Sequence, residues 1–136
     1  MIVYVLDSSA LLRYIDNEAG ADRIEAIIGA CVAGQAEICI SALQWGEIAG
    51  KIRQHLGAND ELRILGNLLP SEVKIVSASG ERAVRAANLK VDRKIGYTDA
   101  FALDLAMDSP DHLLVTADYG FKAMADLARI EFLPSK

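Results

Sequence analysis

Soft metal-binding side chains are scarce in this sequence: it has two cysteines and two histidines, none at zinc-ligand spacing. Cys31 and Cys39 form no metal motif, and Cys39 falls inside a predicted strand, so two reduced core thiols are expected rather than a disulfide or a zinc site. His55 and His112 are isolated and read as surface residues. A glycine-rich phosphate loop is absent, which removes support for dinucleotide or P-loop nucleotide binding. No apolar stretch approaches the ~18 residues needed to cross a bilayer. The opening "MIVYVLDSS" lacks the basic leader of a signal peptide, so a cytoplasmic protein with no membrane partner is expected. Basic charge is also short: 14 lysines and arginines stand against 19 acids, a net charge of -5. That balance argues against binding nucleic acid through bulk charge. The deficit is sharpest over residues 96–121, "GYTDAFALDLAMDSPDHLLVTADYGF", which hold five aspartates and no lysine or arginine.

The chain does have enough apolar residues to build a core. At 136 residues and 52% hydrophobic it is expected to be a single domain, residues 1–136, able to bury roughly two-thirds of its unfolded surface without a staple. A metal here would therefore serve chemistry rather than folding. Short apolar runs, "IVYVL" (2–6), "EICIS" (37–41), "VKIV" (73–76), "LLVT" (113–116) and "IEFL" (130–133), read as strands covered on both faces. Helical patterns lie between them, at about 8–15, 20–33, 42–56, 60–69, 79–94, 99–108 and 119–127. The alternation predicts an α/β fold, a three-layer α/β/α domain on a mostly parallel five-stranded sheet. Helix starts are marked by Ser41 with Gln44, which have the form of a capping box, by Thr98 before Asp99, and by Asp7 and Asp118 just after strands.

In open α/β sheets, sites form beyond the carboxyl ends of the strands. Asp7, Glu47, Asp99 and Asp118 all map to that edge. Taken singly, each aspartate is explained by a helix cap or by the macrodipole, worth ~0.3–1 kcal/mol. Helical phase separates them further. Asp99 shares a direction with Ala102, Leu103 and Ala106 at the start of a largely apolar helix, where an ionised carboxylate needs a compensating partner. Asp104 and Asp108 point elsewhere and read as a solvated edge. Glu47 lies opposite the stripe of Trp45, Ile48, Ala49, Ile52 and Leu56, so its simplest reading is a solvent-facing acid paired with Lys51. That direction also suits a site in an open groove. Asp118 in "TAD" is either a cap supported by Thr116 or a ligand with a hydroxyl behind it.

Carboxylates without a histidine cluster suit hard cations, Mg²⁺ or Mn²⁺, which take oxygen ligands and keep several waters. A phosphate ester is the natural substrate, because a divalent ion there activates water and stabilises the leaving oxygen of an in-line displacement. A basic island directly precedes the acidic stretch. Arg82, Arg85, Lys90, Arg93 and Lys94 outnumber Glu81 and Asp92 over residues 79–95, either as a solvated helix face or as a surface for an RNA backbone.

Four stretches, "VYVLDSSALL", "SALQWGEIA", "GYTDAFALDLA" and "LLVTADYGF", resemble in order and spacing the PIN domain family, and within it the VapC-type toxins of toxin–antitoxin pairs. The resemblance runs from the first strand to the last. It implies strand order 3-2-1-4-5 and a Mg²⁺-dependent ribonuclease. Asp7 and Asp99 would be the principal metal ligands, with Glu47 and Asp118 completing the set and Ser8 and Thr116 in support. It further implies a homodimer, an RNA substrate and a small VapB-type antitoxin partner. The rival expectation is a catalytically silent PIN-like scaffold that binds RNA or protein, but this leaves the desolvation of Asp99 unexplained. A phosphoacceptor receiver domain needs an aspartate after the third strand, where "VKIVSAS" has none. A haloacid-dehalogenase-like phosphatase needs two aspartates one residue apart after the first strand, and Asp7 is followed by Ser8 and Ser9.

Overall fold

Five short apolar segments pair side by side in a computed structural model that describes residues 1–136. They are β1 (Val3–Leu6), β2 (Glu37–Ser41), β3 (Lys74–Val76), β4 (His112–Thr116) and β5 (Arg129–Phe132). All pairs are parallel and the order is β3-β2-β1-β4-β5. Parallel neighbours require crossovers, and helices supply them: α1 (Ser8–Ile15), α2 (Ala21–Val32), α3 (Ala42–Leu56), α4 (Ala58–Leu68), α5 (Gly80–Arg93) and α6 (Tyr97–Ala106). The three-layer architecture and the strand order agree with the sequence-based expectation.

Side chains of successive strand residues go to opposite faces, and two cores result. Leu6, Ile38, Ile40 and Val115 meet Leu11, Ile24, Ile27, Ile48 and Ile52 of α1, α2 and α3 on one side. Val5, Cys39 and Leu114 meet Leu103, Leu105 and Ala106 of α6 on the other, with Phe121 and Met124. Each such aliphatic side chain contributes about 1.5–3 kcal/mol when fully buried. Both cysteines are free and buried, and burial pushes the Cys39 thiol up to about 12, so neither is a reactive thiolate. Gly20 caps α2 at φ +94°, with the side chain of Leu133 2.9 Å from where a Cβ would stand, so both conformation and space call for glycine.

Several local expectations are corrected. The segment expected to be a helix over 119–127 is a 3₁₀ turn, Tyr119–Met124, followed by turns. Its bonds are of the tighter kind, Phe121 N–H to Asp118 O and Ala125 N–H to Lys122 O, in the short span between β4 and β5. Helix α6 begins two residues earlier than expected, with Gly96 rather than Thr98 as its N-cap. His112 is only partly exposed and its Nδ1 lies 2.8 Å from Leu105 O. Asp104 is not solvated: it is 4% exposed, because α5 packs across that face of α6 and sends Arg82 (3.0 Å) and Arg85 (2.7 Å) to its two oxygens.

Candidate active site

Chain order reverses across the sheet between β1 and β4: from β1 the strands step outward to β2 and β3, and β4 then returns to the other side of β1. Such a switch point leaves a crevice beyond the carboxyl ends of the two central strands. Asp7 directly follows β1, and Asp118 follows β4 after Ala117. Glu47 stands in the second turn of α3, which leaves β2 without a linker, and Asp99 lies in the first turn of α6.

Asp7 occupies the N-cap position of α1 but makes no side-chain cap hydrogen bond. It is 2% exposed. Two hydroxyls donate to its Oδ2, Ser9 at 2.6 Å and Thr116 at 2.9 Å, while its Oδ1 is buried with no partner. Because both protons go to Asp7, the 3.1 Å approach of the two hydroxyl oxygens is a packing contact, and their lone pairs serve the backbone. Ser9 Oγ accepts from Ala117 N–H, and Thr116 Oγ1 accepts from Asp118 N–H. This network stitches the end of β1 to the end of β4. Burial raises the Asp7 pKa most strongly, the two hydroxyls oppose the rise, and the charge of Glu47 adds to it.

The other acids stand at the same edge of the sheet. Glu47 accepts the Ser8 hydroxyl at 2.7 Å, and this contact, rather than an ion pair with the exposed Lys51, determines its place. Asp118 is exposed and its Oδ1 accepts Gly120 N–H at 2.9 Å, so it is a true cap. Asp99 is half-buried, and its pKa is pushed up to about 6, first by burial and then by the charges of Asp7, Asp118 and Glu47. The other three carboxylates thus act on Asp99, and Glu47 acts on Asp7, always in the raising direction.

Sequence reasoning missed Ser9 and Gln44. Ser9 was legible in principle, since a hydroxyl two residues after a strand-end aspartate is placed to bond it. Gln44 is fully buried and donates its Nε2 to Thr98 O at 2.6 Å rather than completing the Ser41 capping box. Only the cap by Ser41 is formed, to Leu43 N–H at 3.2 Å. The basic island is divided by the fold. Arg82 and Arg85 hold Asp104, Arg82 also grips Asp108 at 2.6 Å, and Arg93 grips Asp126 at 2.6 Å. Lys90 and Lys94 are exposed and make no ion pair.

A hard divalent cation fits this donor set. The donors are carboxylate oxygens, one of them is buried and unpartnered, and the mutual repulsion of the four is relieved by positive charge. No three acidic, histidine or cysteine side chains stand already closed around a point as a metal cage. For an ion such as Mg²⁺ that keeps several waters, one or two carboxylates suffice.

The model of the PIN domain family matches residues 4–127. This chain belongs to the PIN domain family. Among solved structures, this PIN domain is similar to VapBC2 from Rickettsia felis bound to a DNA fragment from its promoter. That match has 18% identity and a TM-score of 0.75, and covers 98% of this chain and 100% of that one. DNA-bound VapBC from Salmonella typhimurium matches with 20% identity and a TM-score of 0.75, over 97% and 98% of the two chains. Mycobacterium tuberculosis VapC20, described as a sarcin–ricin loop cleaving toxin, matches with 13% identity and a TM-score of 0.72, over 96% and 99%. At these identities the likeness is one of fold. Comparison with curated protein sequences finds no significant match.

Proposed function

We propose that this PIN domain is a divalent-metal-dependent endoribonuclease of the VapC toxin type, held in check by a small antitoxin. The observation that carries the proposal is the unrelieved acidity of the crevice. Asp99 is raised to about 6 with no hydrogen bond opposing the rise, beside an Asp7 whose Oδ1 is buried and unpartnered. A fold that needed only helix caps has no use for that arrangement.

Asp7 and Asp99 would hold Mg²⁺ or Mn²⁺, with Glu47 and Asp118 completing the set directly or through water. When bound, the ion neutralises these acids, polarises the phosphate ester and lowers the pKa of water. The chain's own contributions are positional. Ser9 and Thr116 fix Asp7 through Oδ2 and leave the buried Oδ1 without a donor. Ser8 orients Glu47 through Oε1, which leaves Oε2 able to accept a proton from an attacking water. Lys90 and Lys94 are the island's free cations for the RNA backbone. Arg82, Arg85 and Arg93 spend most of their charge holding α5 to α6 and to Asp126, and would add only a secondary field.

The partners follow from the same reading. A groove of about 650 Å³ runs along α1 and α3 beside Ser9 and Ala117, with Leu12, Ile15, Ile52 and Leu56 in its wall. An apolar segment of an antitoxin laid there would reach the edge of the acidic crevice, and two of the structural relatives were solved as VapBC complexes with DNA. A homodimer acting in the cytoplasm completes the proposal. No helix is long and apolar enough to cross a membrane. The test is RNA cleavage by the purified chain with Mg²⁺ or Mn²⁺. Cleavage is expected to stop in EDTA and in Asp7→Asn. Full activity in either condition would overturn the assignment.

A further inference from the structure

Gln44 is the second of only two buried side-chain polar atoms without a partner in this chain, through its Oε1; the other is Asp7 Oδ1. A residue placed at the third position of α3, after Ser41, ordinarily folds back to the helix start and completes a capping box, with both ends of its amide near water. Here it is 0% exposed, turned away from its own helix, and its Nε2 crosses to Thr98 O at 2.6 Å. One end of a buried amide is left without a donor to make this single long-range bond. Departures of this kind from local preference concentrate where function requires them.

The two ends of the bond are informative. Glu47 lies one helical turn beyond Gln44 on α3, and Asp99 is the residue directly after Thr98 on α6. The bond therefore ties together the two helices that carry those acids and that no strand-end network joins. Asp7 and Asp118 are already fixed to each other through Ser9 and Thr116. The first turn of α6 is packed through Ala100 and Phe101 against Ala86, Ala83 and Leu43, but it has few other polar ties. Its N-cap, Gly96, has no side-chain cap bond, and Lys94 just before it sits at φ +56°. The Tyr97 hydroxyl reaches Ala83 O only at 3.4 Å.

We infer that Gln44 is a positioning residue: its amide clamps the first turn of α6 to α3 and so holds Asp99 within reach of Asp7 and Glu47. It touches neither substrate nor ion. The inference deepens the metal-site reading and rests on it, but the clamp itself is a property of the ion-free protein.

The experiment compares the full-length wild type, Gln44→Met and Ile48→Val. Methionine nearly conserves the volume of glutamine and removes the donor. Ile48, also 0% exposed and one turn along the same helix, controls for a general loss of core packing. Two readouts are taken: amide hydrogen exchange over residues 97–101 in EDTA, and Mn²⁺ affinity by titration calorimetry. In Gln44→Met, exchange in that turn is expected to rise about tenfold while β1 and β4 stay protected, and Mn²⁺ affinity to fall about tenfold. Ile48→Val is expected to leave both unchanged. Unchanged exchange and affinity in Gln44→Met, or equal changes in Ile48→Val, would overturn the inference. A Gln44→Met chain that does not fold would do so too, by making Gln44 a core residue. Wild type that binds no Mn²⁺ counts against the nuclease reading instead, and the exchange arm still decides the clamp.

Discussion

Asp99→Asn is expected to make the ion-free protein more stable, and the sign can be worked from the structure. The folded chain holds Asp99 at a pKa of about 6, against an ordinary 3.8. Between about pH 4 and pH 6 the folded state therefore binds more protons than the unfolded state. Stability falls as pH rises through that window, and the penalty is complete near pH 7. A difference of about 2.2 in pKa at about 1.36 kcal/mol each is about 3 kcal/mol. Because Asp99 is only half-buried, solvent screening reduces the expected gain to about 1–2 kcal/mol. The assay is urea denaturation of both proteins at pH 7 in EDTA, repeated at pH 4 and in Mg²⁺. In EDTA at pH 7 the variant should be more stable by that amount, and the gap should close by pH 4. In Mg²⁺ at about 100 times its dissociation constant, wild type alone gains about 2.7 kcal/mol, which inverts the order. A variant equal to or weaker than wild type in EDTA at pH 7, or a gap that ignores pH, would refute the idea that this carboxylate is held against its neighbours.

Asp104→Ala removes the acceptor shared by Arg82 and Arg85 and should lower stability by about 3 kcal/mol, the low end for a broken buried pair because both arginines stay within reach of water. Thermal or urea unfolding measures it, and cleavage below the melting range should persist. Thr116→Val deletes the donor to Asp7 Oδ2 and the acceptor of Asp118 N–H, and should cost about 1–3 kcal/mol by urea denaturation, together with a fall in Mn²⁺ affinity. Lys90→Ala with Lys94→Ala should flatten the salt dependence of single-stranded RNA binding by about 0.7 in log–log slope per lysine, whereas Arg82→Ala should leave that slope nearly unchanged and lower the melting temperature.

Near-continuous apolar runs and the breaks between them were enough to place five strands, with boundaries off by a residue, and to predict a parallel sheet with helices on both faces. The same local signals put Asp7 and Asp118 at strand ends, and helical phase singled out Asp99. These features are legible because each depends on neighbours within a turn or two along the chain. Local signals failed where a partner comes from afar. Asp104 has the phase of a solvated acid, yet α5 covers it with arginines 19 and 22 positions away. The basic island looked like one surface, and three of its five cations are occupied by acids that periodicity could not pair with them. Thr116 to Asp7 spans 109 positions, and Gln44 to Thr98 spans 54. The sequence alone therefore determined the layers, the strand ends and which acids stand at them, through propensity and hydrophobic period. Only the tertiary structure decided which acids act on one another and what holds them, because hydrogen bonds and charge coupling depend on distance in space.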